Sequence, residues 1–144
     1  MAELDQHYYS LASEKTENEG EQNRTQADID DIDSQIERLQ DAYNAIDDEK
    51  ELLKDQRRNL RGMPTMYEGS WKGAHASSIY EACTKGGQLD EAYTTYIDAI
   101  DDIEDSINDK IRELKDKRAE KWGILQGLIR AWNYICTEMR NYFN

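Results

Sequence analysis

The groups in this chain that carry chemistry are two histidines, two cysteines and 31 carboxylates, and none stands at a spacing that a reaction needs. His7 and His75 are far apart in sequence and have no cysteine or second histidine at metal-ligand spacing, so both read as solvated side chains. The run Asp28-Ile29-Asp30-Asp31-Ile32-Asp33 alternates acids, yet it lacks the central glycine and closing glutamate of a calcium loop. Asp98, Asp101, Asp102, Glu104 and Asp105 flank isoleucines at helical spacing and read as a solvated helix face, not an acid-base pair. No nucleophile elbow or phosphate loop is present. The expectation is a protein without catalytic, cofactor-binding or metal-binding residues, which works by contact alone.

Composition narrows what it contacts. With 38% apolar and 34% charged residues, the chain is too polar for a thick globular core, and its net charge of −13 repels phosphate backbones and anionic lipid. Nucleic acid is disfavoured as a partner, and no window approaches a membrane span, so direct insertion is not expected. The start, Met1-Ala2-Glu3-Leu4-Asp5-Gln6-His7, lacks the basic end and apolar run of a secretory signal, which places synthesis in the cytoplasm. Cys83 and Cys136 lie on what reads as one continuous helix, about 80 Å apart along its axis at 1.5 Å per residue, and cannot bridge within it.

The elements that position these groups are long helices. From Ile29, positions 29, 32, 36, 39, 43, 46, 53 and 60 are apolar at three-four spacing, with Lys50 and Arg57 at the two remaining seam positions. Projected backward, the same register passes through Thr25, Gln22, Asn18, Lys15, Leu11, Tyr8 and Leu4, a weak stretch with Gly20 inside it. The second half shows a stripe at Leu89, Tyr93, Tyr96, Ile100, Ile103, Ile107, Ile111 and Leu114, then Trp122, Leu125, Ile129, Trp132, Cys136, Met139 and Phe143. Its four-residue steps near 103–111 and 114–122 read as stutters, and Gly86-Gly87 as a kink or close approach. Between the halves, Gly62, Gly69, Gly73 and Pro64 fall together, so the first helix is expected to stop near Arg61 with Gly62 as a left-handed cap. The fold expected is all-α: a single-domain, elongated, antiparallel two-helix hairpin, coiled-coil-like, with helix 1 about 2–61, the turn 62–73 at Trp71, and helix 2 about 74–142. Folding back near residue 67 sets position i against roughly 134 minus i. That places Tyr43 and Ile46 against Leu89 and Tyr93, Ile32 against Ile103, and Glu14 to Glu21 opposite Lys110 to Lys121.

One segment has more apolar surface than this hairpin covers. Trp122, Leu125, Leu128, Ile129, Trp132, Ile135, Met139 and Phe143 occupy more than one stripe of the second helix, while the opposing start offers Met1, Leu4, Tyr8, Tyr9 and Leu11. Residues 122–143 are therefore expected to dock another chain. A different use of the same segment is self-association into a structural coiled coil.

Ser70-Trp71-Lys72-Gly73 after a short break, followed by Ala74, Ala76, Ile79 and Tyr80, resembles the turn of the WxG helical-hairpin proteins of type VII secretion. On sequence alone Trp71 equally reads as a plain apolar anchor at a bend. With the tyrosine-rich start, the polar first helix and the long acidic second helix, nearly the full chain is similar to the YwqH-like subgroup of small proteins associated with LXG toxins. That resemblance implies an all-helical accessory protein without enzymatic activity. Its partners would be the helical N-terminal domain of an LXG toxin, with a second small WxG-like protein, and its role would be to present the toxin to the secretion machinery. The chain departs from the minimal pattern in its length and its aromatic C-terminal segment. Proteins of this kind also carry a Tyr-x-x-x-acid export signal; Tyr134 and Glu138 fit that form, as do Tyr43 and Asp47, and the same spacing is that of an ordinary helix-surface pair. The implied location is the cytoplasm, with export alongside the cargo or as a directly secreted WxG effector.

Overall fold

Apolar residues that recur every three or four positions over dozens of residues bury only when two helices lie side by side. The computed structural model shows that outcome. It describes the backbone of residues 2–67 and 73–143 and the side chains of 6–62 and 78–143. Helix α1 spans Ala2–Tyr67, α2 spans Gly73–Cys83 and α3 spans Gln88–Tyr142, and no strand occurs among the described residues. The chain is an all-α helical hairpin, as its periodicity indicates.

The connection differs from the sequence expectation. Helix α1 passes through Gly62 and Pro64 and ends at Tyr67. A proline this close to a helix end removes one ladder hydrogen bond, a small loss for a helix already propagated over some sixty residues. Gly62 is not a left-handed cap; among the described residues the only positive φ belongs to Gly86, at 82°. Of the expected turn at 62–73, residues 62–67 belong to α1 and Gly73 opens α2, while 68–72, with Trp71, lie outside the described residues. The second half is likewise not one helix, because the chain breaks at Thr84–Gly87 before α3 begins. There the Thr84 N–H donates to the Tyr80 carbonyl at 3.1 Å, Gly87 to Thr84 at 2.8 Å, and Glu91 to Gly87 at 2.9 Å. A side chain at Gly87 would run into the Glu81 carbonyl oxygen and come within 2.7 Å of the Ala82 oxygen, so Gly86-Gly87 supplies both the kink and the close approach. Cys83 closes α2 and Cys136 lies in α3, so they share no helix; both are free thiols.

Where the sequence suggests one domain, the contacts form two compact units: Met1–Arg38 with Ile111–Asn144, and Leu39–Lys110. In the first, Asp33 meets Arg118, Asp28 meets Lys121 and Glu19 meets Trp132. In the second, Lys50 meets Asp101, Arg57 meets Thr94 and Arg61 meets Asp90. The helical segments of each pair run antiparallel, with position i facing about 150 minus i in either unit. This corrects the expected 134 minus i: the twenty residues 68–87, which hold α2, move the midpoint of the pairing from near residue 67 to near 75. Accordingly Glu14 to Glu21 are not the partners of the basic run 110–121, Ile32 does not face Ile103, and Tyr43 faces Glu104 instead of Leu89.

Every seam position read from α1 is buried or half-buried, from Tyr8 through Asn18, Thr25, Ile29, Lys50 and Arg57 to Leu60. On α3 the seam runs through 90, 93, 97, 100, 104, 107, 111, 114, 118, 121, 125, 128, 132, 135, 139 and 142, each buried or half-buried, with Thr94, Gln126, Ile129, Cys136 and Glu138 half-buried beside it. Steps of three and four alternate without exception, so the stutters expected near 103–111 and 114–122 are absent. Leu89, Tyr96 and Ile103, expected in the seam, are exposed, and Asp90, Ile97 and Glu104 take their places.

Candidate partner-binding surface

Within the first unit, the heptad of α3 assigns each residue of the expected docking segment a definite place. Leu125, Leu128, Trp132, Ile135 and Met139 lie on the seam against α1; Leu125 and Ile135 are 5% and 8% exposed, so the chain itself encloses them. Trp122, Ile129 and Phe143, with Cys136, repeat every seven residues in the row beside the seam. Trp122 is 44% and Phe143 73% exposed, while Ile129 and Cys136 are half-covered. Ile124, in the row on the opposite flank of the seam, is also exposed. The segment thus carries two apolar rows where one is needed to pair with α1, and the second row is open at both of its ends.

Polar contacts hold that geometry in place. Asn18 is buried in the seam and donates from Nδ2 to the Leu128 carbonyl at 3.0 Å, while Gln22 donates to the Asn18 Oδ1 at 2.6 Å. The Trp132 indole N–H donates to Glu19 at 2.9 Å, and the Lys15 ammonium sits 5.6 Å from the Trp132 ring centroid. Arg118 bonds Asp33 at 2.6 Å and lies 5.9 Å over the Trp122 ring, which fixes the orientation of that ring at the surface. Tyr8 contacts Tyr142 and Phe143, with ring centroids 5.5 and 5.2 Å apart, so the tyrosines at the start of α1 meet the aromatic end of α3. Tyr134 is 66% exposed and Glu138 half-buried, one turn apart on α3.

Charge dominates the seam of the second unit. Lys50 lies 2.8 Å from Glu104 Oε1, 3.0 Å from Asp101 and 3.4 Å from Asp47. The approach to Glu104 is at ion-pair distance but outside hydrogen-bond angles, and that buried oxygen has no hydrogen-bond donor among the described residues. The Glu104 carboxylate, followed by Asp101, holds the Lys50 ammonium well above the ordinary lysine range, and Glu104 also raises the Tyr43 hydroxyl. Asp90, enclosed in the seam, takes a bidentate contact from the Arg61 guanidinium, one arm of it at 3.2 Å, and a 3.0 Å hydrogen bond from the Gly86 N–H. Arg61, followed by Gly86, holds the Asp90 carboxyl below the usual carboxylate range. Arg57 donates to Thr94 at 3.0 Å. Sequence periodicity alone passes over Asp90 and Glu104; the signal that marks them is the matching set of cations, Lys50, Arg57 and Arg61, along α1.

Among the described residues no group of histidines, cysteines and carboxylates is arranged to hold a metal ion, and no helix is long and apolar enough to cross a membrane. No curated protein and no solved structure matches the chain. Residues 13–126, roughly four fifths of its length, match the model of the YwqH-like family; that span contains both charged clusters and the connection at 84–87, and it ends before Leu128, Trp132 and the remainder of α3. By that match the chain is a member of the YwqH-like family.

Proposed function

We propose that this protein is a non-enzymatic accessory factor of type VII secretion that binds the helical N-terminal domain of an LXG toxin and promotes its export. The observation that carries the reading is the second apolar row of α3, with Trp122 and Phe143 exposed at its two ends. Its chemistry is that of a helix-docking face: a row that repeats every seven residues with an aromatic anchor at each end, beside a seam already fixed by Asn18 and Trp132. Family membership supports the same direction, since the resemblance that brings in the toxin partner is to this family. A second small WxG-like helical protein completes the bundle around the toxin domain, and the Tyr134–Glu138 pair, open on the α3 surface, serves as the export signal. The protein is made in the cytoplasm and accompanies its cargo.

Co-expression of the full chain with an LXG toxin encoded beside it tests the proposal. A complex that survives size exclusion and is lost with Trp122→Ala/Phe143→Ala supports it. A monodisperse chain that co-purifies with no such toxin overturns it, and so does a concentration-independent homodimer that buries the 122–143 row, which assigns the surface to self-association. Secretion that is unchanged in Tyr134→Ala/Glu138→Ala removes the export-signal role.

A further inference from the structure

Over one stretch of the first unit the two sides of the seam differ in chemistry. Between Ala12 and Ala27 no apolar residue larger than alanine occurs on α1, and its seam positions are Lys15, Asn18, Gln22 and Thr25. With position i against about 150 minus i, these four meet Ile135, Trp132, Leu128 and Leu125 of α3. Polar side chains thus cover apolar ones, whereas the next seam residues of α1, Ile29, Ile32 and Ile36, are themselves apolar and buried. Leu125 and Ile135 are enclosed under this polar cover, and Leu128 and Trp132 half-enclosed. What they gain from α1 is limited to small side chains and the aliphatic stems of Lys15 and Gln22.

The polar residues hold this level of the seam only loosely. Thr25 donates to the Glu21 carbonyl at 2.8 Å and Gln22 to Asn18 at 2.6 Å, both within α1. Asn18 does cross to the Leu128 carbonyl, but an enclosed amide fixes register at a cost in stability. Gly20 lies in the same stretch with an ordinary helical φ, and a methyl group there would meet nothing within 4 Å, so no contact inside the chain offsets its low helix propensity. We infer that residues 12–27 of α1 are a displaceable cover: they shield Leu125, Leu128, Trp132 and Ile135 in the free chain and give way to a partner helix with apolar residues where α1 has Lys15, Asn18, Gln22 and Thr25. Such a helix makes the apolar contacts that α1 leaves unmade, while Ile29, Ile32 and Ile36 hold the rest of α1 in place. The inference extends the proposed toxin binding and rests on it only for the identity of that helix. It gives the enclosed residues of the 122–143 segment a part in the interface beside the exposed row.

Hydrogen–deuterium exchange of the full chain reads the cover directly: amides of 12–27 exchange at least about tenfold faster than those of 29–46. Two synthetic peptides spanning residues 8–29 then serve as the incoming helix, one of native sequence and one with Lys15→Leu, Asn18→Leu, Gln22→Leu and Thr25→Leu. In titration calorimetry the leucine peptide binds the full chain at least about tenfold more tightly than the native one, and it speeds exchange at 12–27 further because it displaces that segment. Asn18→Leu/Gln22→Leu/Thr25→Leu in the chain itself strengthens the cover, slows exchange at 12–27 and weakens the leucine peptide at least about tenfold. Gly20→Ala, which leaves the seam untouched, slows the same exchange. The inference is overturned if 12–27 is as protected as 29–46, or if the two peptides bind alike or neither binds. It is equally overturned by a leucine peptide that binds without speeding exchange at 12–27, or that binds the triple variant as tightly as the parent. None of these readouts involves the toxin domain, so a toxin that fails to co-purify refutes the proposed function and leaves this inference to its own test.

Discussion

Trp122 and Leu125 are one turn apart on α3, and sequence reasoning assigns them one role; the structure separates them. Leu125 is 5% exposed and sits on the seam, so Leu125→Ala removes enclosed methyl groups and leaves a void that two helices can only partly close. The expected cost is about 2–4 kcal/mol of folding stability, toward the lower end because a two-helix seam relaxes more readily than a thick core. Trp122 is 44% exposed and contacts Arg118 at the surface, so Trp122→Ala is expected to cost less than about 1 kcal/mol of stability. As an interface anchor it is expected to cost about 2 kcal/mol of affinity for the toxin domain, close to thirtyfold in Kd. Urea unfolding followed by far-UV circular dichroism reads the first quantity, and calorimetric titration with the purified toxin domain reads the second. Two results refute the reasoning: a Trp122→Ala chain as unstable as Leu125→Ala, which places the indole in the core, or a Trp122→Ala chain that binds the toxin domain as tightly as the parent.

Other consequences follow from the charged seam and the turn. Lys50→Met leaves Glu104 enclosed without its cation, so it destabilises the chain, and the double change Lys50→Met/Glu104→Leu recovers part or all of the loss; a double-mutant cycle in urea that shows simple additivity refutes the pairing. Because the folded state holds Asp90 below its ordinary pKa, its contribution is present above about pH 4, near the unfolded value, and is lost as pH falls through the folded value. Asp90→Asn therefore lowers the melting temperature at neutral pH and flattens its decline below about pH 4, as thermal scans across the acid range will show. Gly86→Ala meets no neighbour within 4 Å, so its cost is conformational alone, about 1–2 kcal/mol for a side chain at a φ of 82°; Gly87→Ala adds the clash with the Glu81 carbonyl and costs more in the same urea assay.

The α1 seam is fully legible in the sequence because its repeat never breaks: even Asn18, Thr25, Lys50 and Arg57 fall where the three-four spacing puts them, and each is buried or half-buried. On α3 the same method slips to the neighbouring row. Leu89, Tyr96 and Ile103 are seven apart, and Leu89 and Ile103 outscore Asp90 and Glu104 on hydropathy, yet the acids are enclosed, with Ile97 between them. Hydropathy scores one helix at a time, whereas the burial of a carboxylate depends on a cation from the facing helix, here Lys50 and Arg61. A similar slip occurs after Lys121, where Trp122, Ile129, Cys136 and Phe143 read as seam and are instead the row beside it. The turn divides in the same way. Gly86-Gly87 is readable because close approach and positive φ both demand glycine, while Pro64 misleads because a proline near the end of a long helix costs one hydrogen bond and does not stop it.

The polar residues of the seam also answer why the helices pair at one register. Two long helices with leucine and isoleucine every three or four residues gain nearly the same apolar contact after sliding by one heptad, so greasy contact alone specifies register weakly. In the second unit a slide of seven residues would take Glu104 from Lys50 and Asp90 from Arg61, leaving both carboxylates enclosed without a cation. In the first unit it would separate Asn18 from the Leu128 carbonyl and Trp132 from Glu19. Each unit therefore carries its own register pin, and each pin penalises wrong pairings more than it strengthens the right one. The same placement decides which apolar rows remain outside. Because Asp90 and Glu104 face inward, the row of Leu89, Tyr96 and Ile103 faces outward, and because Leu125 and Trp132 face α1, Trp122 is left at the surface. The surfaces left open follow from the charges buried between the helices, so replacing Asp90 and Glu104 together with leucine, without touching Lys50 or Arg61, is expected to loosen the register and broaden the urea transition even though the chain becomes more apolar. An unchanged helical signal with an equally sharp urea transition in that variant would show that apolar contact alone sets the register.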